Sequence, residues 1–215
     1  MAERAQVKIC GLRDAPSIAA AASAGADYIG FVFYPPSPRN LSIAQAASLR
    51  AHVAPSVKLV AVCVSPDDAL IEALVQQVQP DFLQLHGNES PERFSDIRRR
   101  WPQLGLIQSI AISQAADVEK AQPYSESAFL LFDAKPPATS ALPGGNGLSF
   151  DWKLLASKSF AKPWMLSGGL TPANVAEAIR QSGARMVDVS SGVESAPGVK
   201  DAALIDAFVK AARNL

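Results

Sequence analysis

Two stretches of this chain set small residues directly after short apolar runs, Met165-Leu-Ser-Gly-Gly-Leu-Thr-Pro172 and Met186-Val-Asp-Val-Ser-Ser-Gly192. Turns of that composition leave backbone N–H groups open to a close-lying anion, and Gly168 and Gly169 let the main chain approach it without a Cβ in the way. Ser190, Ser191 and Gly192 add hydroxyls and amides of the same kind, so the pair reads as a phosphate cradle. Thr171-Pro172 supplies an N-cap and a first-turn proline, predicting a helix from Thr171 to Ser182 whose N-terminus faces that anion. Three further residues carry reactive chemistry. Cys10 ends the run Lys8-Ile9-Cys10 before Gly11 and is either a base or nucleophile or a small buried hydrophobe. Asp133 follows Leu130-Leu-Phe132, a setting in which a carboxylic acid can hold a proton for donation; its alternative is a cap or an ion pair with Lys135. Arg39 sits in a loop stiffened by Pro35, Pro36 and Pro38, where a fixed guanidinium can hold a carboxylate or simply make a surface ion pair.

The elements that must position these groups are legible as alternation. Eight strand-like runs, Val7–Cys10, Tyr28–Phe33, Lys58–Val64, Phe82–Leu85, Leu106–Ile110, Phe129–Phe132, Pro163–Leu166 and Met186–Val189, are each followed by a helix-like segment. Their starts lie roughly twenty to thirty-five residues apart, about one βα unit each. Helices are predicted over Ser42–His52, Pro66–Val78, Pro91–Trp101, Thr171–Ser182 and Asp201–Ala212, where apolar residues recur at three and four residue intervals. Eight such units in 215 residues predict a single-domain α/β protein spanning residues 1–215, a (β/α)8 TIM barrel with its chemistry at the strand C-terminal ends. An open doubly wound sheet is the competing architecture, but no dinucleotide glycine pattern follows the first strand.

Composition removes several function classes. Twenty basic and twenty acidic residues leave no net field to attract nucleic acid or an anionic membrane. Cys10 and Cys63 both lie in strand-like runs, which predicts unpaired thiols in a reducing, cytoplasmic setting. Met1 to Gln6 carry no apolar signal segment, and no later run approaches the length of a membrane span. His52 and His86 are the only histidines and lie too far apart for a local ligand motif, so no metal is required; His86, in Gln84-Leu-His-Gly87, is expected to be structural. The run from Pro136 to Ser149, with Gly144-Gly-Asn-Gly147, is long for a βα connection and is expected to act as a lid.

Taken in order, Lys8-Ile-Cys-Gly11, Gly30-Phe-Val-Phe-Tyr34 with Ser37-Pro-Arg39, Gln84-Leu-His-Gly87, Leu131-Phe-Asp133, Gly144-Gly-Asn-Gly147 with Phe150-Asp-Trp152, Leu166-Ser-Gly-Gly-Leu170 with Asn174-Val175, and Asp188-Val-Ser-Ser-Gly-Val-Glu194 followed by Pro197-Gly198 and Lys200-Asp201 resemble the phosphoribosylanthranilate isomerase family over nearly the whole chain. That resemblance implies an Amadori rearrangement without a cofactor, converting N-(5-phosphoribosyl)anthranilate into 1-(2-carboxyphenylamino)-1-deoxyribulose 5-phosphate in tryptophan biosynthesis. It also implies roles. Cys10 becomes the general base, Asp133 the general acid and Arg39 the holder of the anthranilate carboxylate. Asp188 comes to lie near the ribose hydroxyls, and Gly168, Gly169, Ser190, Ser191 and Gly192 hold the phosphate. The partner is then a small phosphosugar, with monomer and homodimer both open. Asn146 departs from the hydroxyl residue usual at that lid position. Two other classes compete: a different phosphate-binding barrel enzyme, an aldolase using Lys135 as a Schiff-base lysine or an epimerase, and a catalytically silent sugar-phosphate-binding barrel.

Overall fold

The computed structural model describes residues 4–124, 126–137, 139, 144–145, 147–156 and 158–214. Eight parallel strands close into one barrel in chain order: β1 (Gln6–Cys10), β2 (Tyr28–Phe33), β3 (Lys58–Cys63), β4 (Phe82–Leu85), β5 (Gly105–Ile112), β6 (Phe129–Ala134), β7 (Trp164–Leu166) and β8 (Met186–Val189). The seam is made by β1 against β8, with Lys8 opposite Asp188 and Ile9 opposite Val189. Alternation along each strand divides the apolar residues into two cores. Tyr28, Val32, Val60, Val62, Ile107, Leu131, Met165 and Met186 fill the barrel interior, while Val7, Ile9, Ile29, Leu59, Leu83 and Leu106 face the surrounding helices. Tyr28, Phe82 and Phe129 stack edge-on and tilted at 5.3–5.9 Å and plug the bottom.

The helices are α1 (Ala15–Ala24), α2 (Ile43–Arg50), α3 (Asp68–Ala73), α4 (Pro91–Arg100), α5 (Ala115–Val118), α6 (Lys153–Ala156), α7 (Val175–Ser182) and α8 (Ala202–Arg213). Side-chain caps start several of them: Asp14, Ser42, Asp67, Ser90 and Asp201 each accept a backbone N–H from the first turn. Two expectations from sequence shift in detail. β6 runs two residues past Phe132, so Asp133 lies within the strand, paired with Ala111 of β5, instead of just beyond it. Thr171 does not cap α7; residues 171–174 form a turn in which Asn174 Oδ1 accepts the Thr171 N–H at 2.7 Å, and the helix begins at Val175. After β8 a 3-10 turn (Ser191–Val193) leads into a hairpin of β9 (Glu194–Ala196) and β10 (Val199–Lys200), an addition to the eight-unit pattern. Among the described residues no helix is long and apolar enough to cross a membrane.

Candidate active site

Because the strands are parallel, their C-terminal ends form one mouth, and the groups predicted from sequence converge there. Cys10, Arg39, Asp133, Gly168, Gly169, Asp188, Ser190, Ser191 and Gly192 all line a single cavity of about 840 Å³ counted to its open mouth. Val32, Val62, Val64 and Leu170 supply its apolar wall, giving the mixture of greasy surface and few polar groups usual in small-molecule sites.

The β7 and β8 turns show why those positions hold glycine. Gly168 and Gly169 have φ of 91° and 62°, in the left-handed region that side chains strain to occupy. A Cβ on Gly168 would sit 2.6 Å from the Ala134 nitrogen, and one on Gly169 would lie 2.7 Å from the Leu148 carbonyl carbon. At Gly192 a Cβ would overlap the Leu170 carbonyl oxygen. The first amides of the 3-10 turn at Ser191 have no intrahelical acceptor, and Ser191 and Gly192 both line the cavity.

Next to the Gly168 turn, on β6, Asp133 Oδ1 accepts the Ala134 N–H at 2.9 Å, while Oδ2 lies 3.4 Å from His86 Nε2. His86 Nδ1 lies 2.9 Å from both Gln84 Nε2 and Ser109 Oγ. Lys135, the alternative partner of Asp133 in the sequence, is exposed beyond the strand. The histidine expected to be structural therefore lines the site and touches the carboxylate.

Arg39 is buried, and its Nε and Nη2 grip Glu194 Oε1 and Oε2 at 2.8 Å each. Lys200 Nζ donates to the same Oε1 at 2.7 Å and to the Ser190 carbonyl at 2.8 Å. Burial opposes ionisation of Glu194, but Arg39 and Lys200 outweigh it and hold the carboxyl below the usual carboxylate range. Arg39 thus makes neither a surface pair nor a free fork. Its side edge is committed to Glu194, and its end edge faces the mouth, where a Cβ on Gly145 would be 2.8 Å from Nη1. Asn146, the departure in the lid motif, lies outside the described residues, as does part of the expected lid between Pro136 and Ser149.

On β1 below Cys10, Lys8 is wholly buried and donates to Asp188 Oδ1 at 2.8 Å; Ser167 Oγ donates to Oδ2 at 3.1 Å. Burial alone would lower the lysine pKa, but Asp188 and Cys10 reverse that and raise it above the ordinary value. Burial pushes the Cys10 thiol up, Asp188 adds to the rise, and Lys8 and Lys200 pull against it, with a net rise. Lys8, Glu194, Lys200 and Ser167 were not singled out by residue type. Lys8 had one available signal: it shares the inward parity of Cys10 in Val7-Lys8-Ile9-Cys10.

The family model of N-(5'-phosphoribosyl)anthranilate (PRA) isomerase matches residues 7–211. The chain belongs to this family. The N-(5'-phosphoribosyl)anthranilate isomerase of Paramagnetospirillum magneticum is 53% identical over 209 residues, 97% of each chain. Phosphoribosyl anthranilate isomerase from Thermotoga maritima superposes with a TM-score of 0.88 at 36% identity, covering 98% of this chain and 100% of that one. A structure of phosphoribosyl anthranilate isomerase in complex with reduced 1-(o-carboxyphenylamino)-1-deoxyribulose 5-phosphate superposes with a TM-score of 0.85 at 35% identity, with the same two coverages. Membership makes this chain an isomerase with a TIM-barrel fold and sets aside the aldolase, the epimerase and the silent barrel.

Proposed function

We propose that the chain carries out its family's rearrangement, from N-(5-phosphoribosyl)anthranilate to 1-(2-carboxyphenylamino)-1-deoxyribulose 5-phosphate in tryptophan biosynthesis, with Asp133 as general acid and Cys10 as general base. What carries this reading is the convergence of Cys10, Asp133, Arg39 and both small-residue turns on one cavity. The turns after β7 and β8 hold the phosphate through amides and hydroxyls, the end edge of Arg39 meets the anthranilate carboxylate, and Asp188 approaches the ribose hydroxyls. Asp133 gives a proton to the ring oxygen as the C1′–O bond breaks, which leaves an iminium ion between C1′ and the anthranilate nitrogen. Cys10, as thiolate, then takes the C2′ proton. The C–H electrons form the C1′=C2′ bond, and those of the iminium π bond settle on nitrogen. The enol so formed becomes the ketone as its hydroxyl proton leaves and C1′ gains one. The substrate nitrogen is the electron sink, so the chemistry makes no demand for a cofactor.

The whole chain acts as one barrel domain in this reading. The free thiols of Cys10 and Cys63 suit the reducing cytoplasm. The test follows fluorescence loss from freshly generated phosphoribosylanthranilate. Cys10→Ser substitutes a far weaker base and Asp133→Asn a group unable to deliver a proton, so each loses at least about a hundredfold in kcat with smaller changes in KM. Near-normal turnover by either variant would remove that residue from its role, and His86 would be the next group to examine.

A further inference from the structure

Among the described residues, Lys8 is the fully buried cation beneath the cavity that the rearrangement as written does not use. Its ammonium has three protons to place and no exposure to bulk solvent. One goes to Asp188 Oδ1 at 2.8 Å, and Cys10, two residues on along β1, points to the same barrel interior. Gly30, opposite Cys10 in the β1–β2 register, shows that the two groups border one space: a Cβ there would lie 2.9 Å from Cys10 Sγ and 3.4 Å from Lys8 Nζ. The space shared by thiol and ammonium therefore exists only because β2 presents no side chain at this level. We propose that Lys8 is a positioning residue that shares its ammonium between Asp188 and the Cys10 sulfur, stabilising Cys10 as the thiolate that takes the substrate proton. This rests on the reading of Cys10 as the base.

Charge balance decides the argument. Without Lys8, an ionised Cys10 would place a second negative charge beside the buried Asp188 carboxylate, and both would be poorly solvated. With Lys8 present, ionising Cys10 takes the trio from neutral to a single negative charge, which an iminium ion in the cavity above complements. The charged groups facing Cys10 are Lys8 on its own strand, Asp188 on β8 and Lys200 on β10, the last held by Glu194, which also binds Arg39. Gly30 on β2 contributes none. Lys200 is already committed to Glu194 and Ser190, so it is the weaker source of thiolate stabilisation.

The deciding experiment is the pH profile of iodoacetamide alkylation of Cys10 in the folded protein, read by mass spectrometry on the Cys10 peptide; Cys63 is fully buried. In Lys8→Met the profile should move to higher pH by about one unit or more, a rate loss of about tenfold on its acid side, and the acid limb of kcat/KM should move with it. Should Lys8→Met fail to fold because Asp188 is left unpaired, Lys8→Met/Asp188→Asn is compared with Asp188→Asn alone, and the same alkaline shift is expected. An unmoved alkylation profile overturns the role of Lys8. A profile that moves while the acid limb of kcat/KM stays fixed supports the ammonium–sulfur contact and removes Cys10 as the base, so the two readings fail separately.

Discussion

Arg39 illustrates how a residue's chemistry is set by what already holds it. Its two nitrogens toward Glu194 fix the guanidinium plane, so the end edge reaches the cavity with little freedom left to lose on binding. Lysine at this position keeps a charge but cannot pair with Glu194 on one edge and a substrate carboxylate on the other. Arg39→Lys is therefore expected to weaken capture by about 1–3 kcal/mol, read as a rise in KM with a smaller fall in kcat. Equal kinetic constants would show that Arg39 serves only the Glu194 pair. Glu194→Gln leaves Arg39 and Lys200 buried with their counter-charge removed, and should raise KM as well as lower stability. That Cys10 and Asp133 line the mouth was legible because each follows an apolar run. Glu194 and Lys200 were not, since they lie in a polar hairpin whose fold-back onto Arg39 depends on contacts 155 residues apart in sequence.

At the scale of elements, existence was easier to read than limits. The eight strands followed from apolar runs, but the reach of β6 through Asp133 depends on pairing with β5, which no local pattern contains. The start of α7 misread for a related reason: Thr171 is a good cap by type, yet Asn174 closes the preceding turn by accepting the Thr171 N–H and donating to the Gly169 carbonyl at 2.9 Å. Buried carboxylates tie other loops. Glu89 accepts the Ser65 N–H at 2.8 Å and the Gly87 N–H at 3.0 Å, joining the turns after β3 and β4. Asp117 accepts from Lys120 Nζ at 2.7 Å, Ser113 N at 3.0 Å, Ser113 Oγ at 2.9 Å and Gln114 N at 3.2 Å. Led by Lys120, these donors hold its carboxyl well below the usual carboxylate range despite its burial. A depressed folded-state pKa stabilises the fold above the ordinary carboxylate value, and that contribution is lost as pH falls toward the folded value. Asp117→Ala should thus cost about 1–3 kcal/mol near neutral pH in urea unfolding. The gap to the parent should narrow in acid, and a pH-independent difference would mean that packing, not charge, is what Asp117 provides.

For the whole molecule, the decisive contact is where the chain's two ends close the ring. β1 pairs with β8 along four residues, while β7 is in ladder register with β8 only at Leu166 opposite Val187. The seam is covered from outside by α8, which packs against α1 and α7 and buries Ile205, Phe208, Val209 and Ala212. Arg213 fastens the end of α8 to the Gly25 carbonyl and, at 3.0 Å, to Asp27, whose carboxylate also takes the Val7 N–H at 2.8 Å. Closure is what brings Lys8 and Cys10 beside Asp188, so the stability of this seam and the assembly of the site are the same event, even though α8 contributes no side chain to the cavity. Phe208 is fully buried in that contact, and Phe208→Ala should cost about 3–5 kcal/mol in unfolding free energy through lost transfer and an unfilled cavity. Below its unfolding transition the variant should keep kcat and KM within about twofold of the parent, because rigid strands separate the void from the mouth. A loss of turnover in Phe208→Ala that is still fully folded would mean instead that packing under α8 sets the register between β1 and β8, and that Lys8, Cys10 and Asp188 are aligned by the helix layer as much as by the sheet.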